Sequence, residues 1–379
     1  MLRNRIAAAA LAALATVVPA PVTAQGITPT TIVVGQSAAT TGPASELGTE
    51  MRAGALAYFN AVNARGGING RKIELRTLDD GYEPDRALAN TRRFLETDQA
   101  FVLFGYVGTP TTIAAMPVFT KAQVPLIGPF TGAEAFRKPF NRYIFNVRAS
   151  YYAETDKLVD LLSTLRMQRI AVFYQNDAYG KAGLEGVERA AKARNMPIAA
   201  TATVERNSTD VKAAVAALSK VDPQAVVMIS AYKSCAAFIK AMKAAGVHAQ
   251  FLNVSFVGSK ALANELGPEG RGVAISQVVP FPWNTGAPVV KEYQKALSAE
   301  TGKENYSFTS LEGFIAAKVL VEGIRRAGRD VTREKLVTAL ETLNDYDVGG
   351  FTVTYSGNDH SGSRFVELTA IGRDGVFVR

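Results

Sequence analysis

From Thr31 to about Gln277 the chain alternates short runs of β-branched and aromatic residues with longer stretches whose apolar residues recur every three or four positions. The short runs predict strands at 32–35, 72–78, 101–105, 125–127, 143–147, 170–174, 198–204, 225–229, 251–254 and 273–277. The longer stretches predict helices at 50–64, 85–96, 111–122, 152–165, 180–194, 209–219 and 233–245. Such alternation implies parallel sheets covered on both faces. After Val278 the pattern changes: two or three helices fall between Ala287 and Leu343, followed by strands at 351–354, 364–371 and 375–378. The segment Gly357–Gly362 reads as a tight turn containing His360, for which a structural role is expected.

In open α/β sheets, ligands settle beyond the carboxyl ends of the strands, where helix N-termini and loop N–H groups converge. Three loops occupy such positions. Ala39-Thr40-Thr41-Gly42-Pro43 is rich in hydroxyls. Gly105-Tyr106-Val107-Gly108-Thr109-Pro110-Thr111-Thr112 leaves a strand and opens a helix, which suits it to a carboxylate. Pro125–Ala133 ends another strand and presents backbone N–H groups around Phe130 and Gly132. Ordinary strand-to-helix capping is the alternative for these loops. The same order recurs later at Gln175-Asn176-Asp177-Ala178-Tyr179-Gly180.

Together with the turn Arg65-Gly66-Gly67-Ile68-Asn69-Gly70 and the pair Asp79-Asp80, these motifs resemble the leucine/isoleucine/valine-binding family, type I periplasmic solute-binding proteins of ABC transporters. The resemblance covers nearly the whole chain after the leader. It implies an α/β fold of two doubly wound parallel-sheet lobes joined by a three-strand hinge, with crossings near Ala149, Val278 and Tyr355. The first lobe would hold residues 25–149 plus 279–355, and the second 150–278 plus 356–379. It further implies that Thr109 holds a ligand carboxylate, that Phe130 assists through its backbone, and that Tyr179 closes over the ligand as an aromatic wall. Tyr151 and Tyr232 also follow strands and are expected to line the cleft, whereas Tyr152 reads as a half-buried surface residue.

Several positions depart from the family pattern. Ser255 stands where amino-acid binders carry an acid that pairs with the ligand ammonium, and a buried cation without a counter-charge is strongly disfavoured. Leu47 replaces an aromatic hydroxyl, Gly132 replaces a threonine, and Gly108 replaces a cysteine of a disulfide, so packing must hold the ligand loop. Either Asp177 or Glu50 supplies the missing charge, or the ligand is a carboxylate without an amino group, such as an aromatic, 2-oxo or 2-hydroxy acid. The second reading is preferred.

The chain ends and composition narrow the class. Residues 1–24 have basic Arg3 and Arg5, an apolar run and small residues at Val22 and Ala24, which predicts a secretory signal peptide cleaved before Gln25. With no cysteine near that site, a lipid anchor is not expected, and the mature chain is expected to be periplasmic. Cys235 is the single cysteine, which excludes an internal disulfide and a cysteine-based zinc site. The formal charge of +8 is spread along helices among Glu and Asp, which gives nucleic-acid binding no support.

Phosphate-loop, dinucleotide, nucleophile-elbow and HExxH motifs are absent, and His248 and His360 lie on separate segments. The expectation is therefore a binding protein rather than an enzyme, with no cofactor or metal. It would act as a monomer, take a small carboxylate, an amino acid or a related acid, and deliver it to separate permease and ATPase chains. Ligand sensing for a receptor or kinase is the alternative output.

Overall fold

The computed structural model describes residues 25–379; the expected signal peptide lies outside the described residues. The first half opens with β1 (Thr31–Ala38), α1 (Ser45–Ala64), β2 (Lys72–Asp79), α2 (Pro84–Glu96), β3 (Val102–Phe104), α3 (Thr109–Lys121), β4 (Leu126–Ile127) and β5 (Ile144–Phe145). These strands form one parallel sheet in the order β2-β1-β3-β4-β5.

The chain then builds a second body from α4 (Tyr151–Thr164), β6 (Ile170–Gln175), α5 (Ala178–Ala193), β7 (Ile198–Val204), α6 (Lys212–Ser219), β8 (Ala225–Ile229), α7 (Tyr232–Ala244), β9 (Gln250–Asn253), α8 (Ser259–Leu266) and β10 (Ala274–Gln277). It returns to the first body with α9 (Pro288–Thr301), α10 (Phe308–Ala327) and α11 (Arg333–Glu341). A small antiparallel sheet follows, made of β11 (Tyr346–Asp347), β12 (Thr352–Ser356) and β13 (Asp359–Gly362). Finally β14 (Glu367–Ile371) and β15 (Phe377–Val378) join the second sheet, whose order is β15-β14-β10-β9-β8-β6-β7. Both of these last strands run antiparallel to their neighbours, so the second sheet is mixed at one edge rather than wholly parallel.

Two helices lock the first body together. Along α1 the buried residues Leu47, Met51, Ala55, Tyr58, Phe59 and Val62 form one stripe at helical spacing. That stripe meets α10, and the two backbones touch where glycines permit it. A Cβ on Gly54 would lie 1.7 Å from the Ser310 carbonyl oxygen, and one on Gly313 would lie 2.2 Å from that of Met51.

The structure departs from expectation at four elements. Helix α1 begins one turn earlier than the apolar pattern suggested, because Ser45–Gly48 carry little hydrophobic signal. Helix α8 is short and lacked a clear period. Strand β11 has only two residues, and the expected tight turn closes at Gly357 and Asn358, with the rest of that segment forming β13. His360 lies on β13, where its ring stacks on Phe145 at 3.8 Å and Nδ1 meets the Ile144 carbonyl at 3.2 Å. Its role in the fold is structural, as expected, but it acts from a strand.

Candidate functional site

The hydroxyl-rich loop after β1 is structural. Thr40 N, Thr41 N and Thr41 Oγ1 all donate to the Asp79 carboxylate, with distances of 2.7–3.1 Å, and Gly81 N and Arg86 add to them. Burial alone would raise the Asp79 pKa, but these donors outweigh it and hold the group below the usual carboxylate range. Asp80 in turn accepts from Ser37 Oγ at 2.7 Å and from Tyr82 N at 2.8 Å. The pair therefore forms a turn in which Tyr82 adopts φ +64° and points its ring inward, fully buried. A Cβ on Gly108 would lie 2.2 Å from that ring. Gly108, where the resemblance expected no disulfide to hold the loop, is instead packed against Tyr82.

At the N-terminus of α3, Thr109 Oγ1 and Thr131 Oγ1 are 2.7 Å apart and both residues are buried. The backbone of Phe130 does not offer its N–H to a ligand, contrary to expectation, because that group donates to the Tyr106 carbonyl at 2.8 Å. The Phe130 ring faces the interior instead. Gly132 permits close approach of the hinge helix: its carbonyl accepts from Tyr151 N at 2.7 Å, and a Cβ there would lie 2.6 Å from the Tyr151 ring. The hydroxyl missing at Gly132 is present one residue earlier, at Thr131.

From the second lobe, Tyr179 and Tyr151 approach with ring centroids 5.4 Å apart, and Phe256 stands between the lobes at 4.6 Å from Tyr179, 5.2 Å from Phe130 and 6.0 Å from Tyr82. These five rings wall the interior. Burial lifts the Tyr179 hydroxyl well above its ordinary pKa and the Tyr151 hydroxyl to about 12, so both stay protonated as donors.

Asp177 is not available as a counter-charge. It caps α5 through Tyr179 N at 2.9 Å and pairs with Gln175 and Arg206. Glu50 is likewise engaged, with Ser307 Oγ at 2.9 Å, and burial raises its pKa to about 7. Leu47 and Tyr232 meet across the lobe seam: a Cβ on Gly258 would touch Leu47 at 2.5 Å, and Tyr232 Oη accepts from Glu46 N at 3.5 Å. Tyr152 lies outside, with Arg189 4.3 Å above its ring, beside a groove of about 250 Å3 that Thr109 also lines.

At the centre stands a residue that sequence reasoning missed, Arg148. It lies between β5 and α4, is 0% exposed, and sits 4.9 Å over the Phe130 ring and 6.0 Å from that of Tyr151. Its Nη2 donates to Ser255 Oγ and approaches Glu154 at 3.4 Å, while Nε is 3.6 Å from Glu312. Burial pulls its pKa down, but the two carboxylates more than compensate, and the guanidinium is firmly charged. Nε and Nη1 have no hydrogen-bond partner among the described residues. The same holds for Tyr151 Oη, Tyr179 Oη, Gln175 Oε1, Ser230 Oγ and both side-chain polar atoms of Asn253. Gln175 ends β6, Ser230 follows β8 and Asn253 ends β9, so these groups cluster at the carboxyl edge of the second sheet. An unsatisfied buried polar group costs about 1–3 kcal/mol, so such a cluster fits a site built for a polar guest. The only sequence signal for Arg148 was a lone cation in the apolar first crossing, and none pointed to Phe256, Tyr82 or Thr131.

A family model described as periplasmic binding protein matches residues 31–375. A substrate-binding periplasmic protein from Ralstonia solanacearum is 38% identical, with a TM-score of 0.86 over 91% of this chain and 99% of that one. A possible leucine/isoleucine/valine-binding protein from Rhodopirellula baltica SH 1 is 35% identical, with a TM-score of 0.88 over 92% and 96%. The leucine-, isoleucine-, valine-, threonine-, and alanine-binding protein of Pseudomonas aeruginosa is 24% identical over 82% of each chain. With its two α/β lobes, this chain belongs to the leucine/isoleucine/valine-binding family of type I periplasmic binding proteins.

Proposed function

We propose that this protein captures a small organic acid that lacks an amino group and delivers it to an ABC importer. The observation that carries the reading is Arg148. Its guanidinium lies against Ser255, the position at which amino-acid binders of the family are expected to place an acid for the ligand ammonium. A ligand ammonium brought there would meet the Arg148 guanidinium and no free counter-charge, since Glu154 and Glu312 are already turned to that cation, whereas an anion would meet its unpaired Nη1 donor. The aromatic walls of Phe130, Tyr151, Tyr179 and Phe256 suit a flat apolar body. Thr109 and Thr131 offer hydroxyls to a second oxygen-bearing group.

Capture would follow from hinge closure, in which a ligand touching both lobes favours the closed form that the permease recognises. The lobes would comprise residues 25–149 plus 279–355 and residues 150–278 plus 356–379, except that the third crossing is better placed after Gly362 than at Tyr355. In support, β13 pairs with β12, and Asn146 N donates to the His360 carbonyl at 2.9 Å beside β5. The chain would be exported by residues 1–24 and act as a monomer, since one lobe pair completes the site.

A thermal-shift screen of the chain from Gln25 onward tests the ligand class, comparing amino acids with matched acids lacking the amino group. Binding to the native state alone stabilises by about 2.7 kcal/mol at a hundredfold excess over the dissociation constant. Stabilisation by aromatic or oxo acids and not by leucine or valine is expected. The reverse pattern refutes the reading.

A further inference from the structure

Two carboxylates flank Arg148, and they differ in how they are supported. Glu154, from α4 of the second lobe, accepts Ser255 N at 2.8 Å and Ser276 Oγ at 2.6 Å as well as approaching the guanidinium. Its negative charge is held by three donors. Glu312, from α10 of the first lobe, is 3% exposed, contacts Arg148 Nε at 3.6 Å, and accepts no hydrogen bond among the described residues. One guanidinium therefore stands against two acids, and Glu154 alone is enough to balance it.

Bringing a ligand carboxylate to Nη1, the donor of Arg148 that faces neither acid, adds a third negative group to a buried interior. Two uncompensated anions there would be strongly unfavourable. The acid that loses least by taking a proton is the one without donors, Glu312. Once protonated, it carries an O–H that can donate to a ligand oxygen.

We propose that Glu312 is a specificity-determining contact residue that binds the ligand in its protonated form beside Arg148, so that each organic anion is captured together with one proton. This rests on the acid-ligand reading above. The charged groups facing Glu312 are Arg148 from the first crossing and Glu154 from α4. The other helices packed on α10 direct these charges elsewhere: Glu50 of α1 turns to Ser307, Lys260 of α8 reaches Asn305 and the Tyr306 carbonyl, Glu292 of α9 pairs with Lys318, and Glu334 and Glu341 of α11 pair with Arg142. Burial raises the Glu312 pKa to about 7, with Arg148 drawing it down and Glu154 pushing it up, so the residue titrates near neutral pH.

The sign follows from linkage. Below about pH 7 the proton is already present and affinity is flat; above it, binding must take a proton up, and affinity falls by up to about tenfold per pH unit. Titration calorimetry with benzoate and with phenylpyruvate, from about pH 5.5 to 8.5 in two buffers of different ionisation enthalpy, measures affinity and proton uptake together. Wild type should bind at least about tenfold more weakly at the top of that range and take up close to one proton there. Glu312→Gln, which keeps shape and a donor, should bind at the tight level throughout and take up none. A pH-independent wild-type affinity, or an equal slope in Glu312→Gln, overturns the proton coupling and leaves the acid-binding reading standing. Failure of both acids to bind wild type and variant at about pH 5.5, while an amino acid stabilises the protein, overturns both.

Discussion

His360 shows how much a single side chain can be asked to do without touching a ligand. Burial lowers its pKa from 6.5 to about 4, against the smaller upward pull of Glu341, so the ring stays neutral in the fold. Because the folded value is depressed, its contribution to stability is fully present above pH 6.5 and is lost as pH falls toward 4, where only the unfolded chain has been taking up the proton. The shift corresponds to about 3 kcal/mol in order of magnitude. His360→Phe, which can still stack on Phe145, should remove this acid-dependent loss, read as the difference between the two unfolding curves from pH 7 to 4. An unchanged difference across that range would assign the titration elsewhere. Arg148 is the contrasting residue. It passed unnoticed in the sequence because a lone arginine gives no sign of burial; its importance comes from Ser255, Glu154 and Glu312, between 6 and 164 positions away and joined to it only by the fold.

At the scale of elements, the packing of α1 on α10 sets the first lobe. The backbones meet at Gly54 and Gly313, and neither contact leaves room for a methyl group. Gly54→Ala should destabilise the protein by about 3 kcal/mol through overpacking, measured by chemical denaturation, whereas Ala53→Gly on the same helix should cost about 1 kcal/mol through propensity alone. Equal effects would mean that the helices can move apart freely. The long, periodic elements were legible because burial of a stripe or a whole strand leaves its period in the sequence: β8, buried at all five positions, was placed to the residue. The two-residue strands β4 and β5 were still found inside the apolar runs 125–127 and 143–147, whereas β11 lies in a polar stretch with no period, and β13 was hidden in the polar run Gly357–Gly362, since its pairing with β12 is made by the backbone. The candidate site was half legible for a related reason. Loop positions at strand ends pointed to Thr109, Phe130 and Tyr179, but the hydrogen bonds that engage Thr40, Thr41, Asp177 and the Phe130 N–H depend on which loops lie side by side.

Across the whole molecule, the lobes meet along two rims. On one, Arg206 Nη2 and Asn207 Nδ2 both reach Glu83 at 2.8 Å, and Asn207 also donates to the Gly81 carbonyl at 3.0 Å. On the other, Lys260 reaches Asn305 and the Tyr306 carbonyl. Gln175 Nε2 bridges deeper, to Tyr82 Oη at 3.2 Å. Glu83 is partly exposed, so its ion pair is worth at most about 1 kcal/mol after solvent screening. Glu83→Ala should therefore weaken ligand binding by about three- to tenfold through faster release. Stopped-flow dissociation checks this, and an unchanged release rate would show that the rim does not hold the closed form.

The Tyr82 ring seated on Gly108 has a consequence for where the protein can work. The loop that bears Thr109 is pinned by a hydrophobic contact, and the one thiol, Cys235, is fully buried with burial raising its pKa far above normal. The candidate site is thus indifferent to redox potential: no oxidant is needed to assemble it, no reductant can take it apart, and a chain produced in a reducing cytosol should fold to the same structure as one produced in an oxidising space.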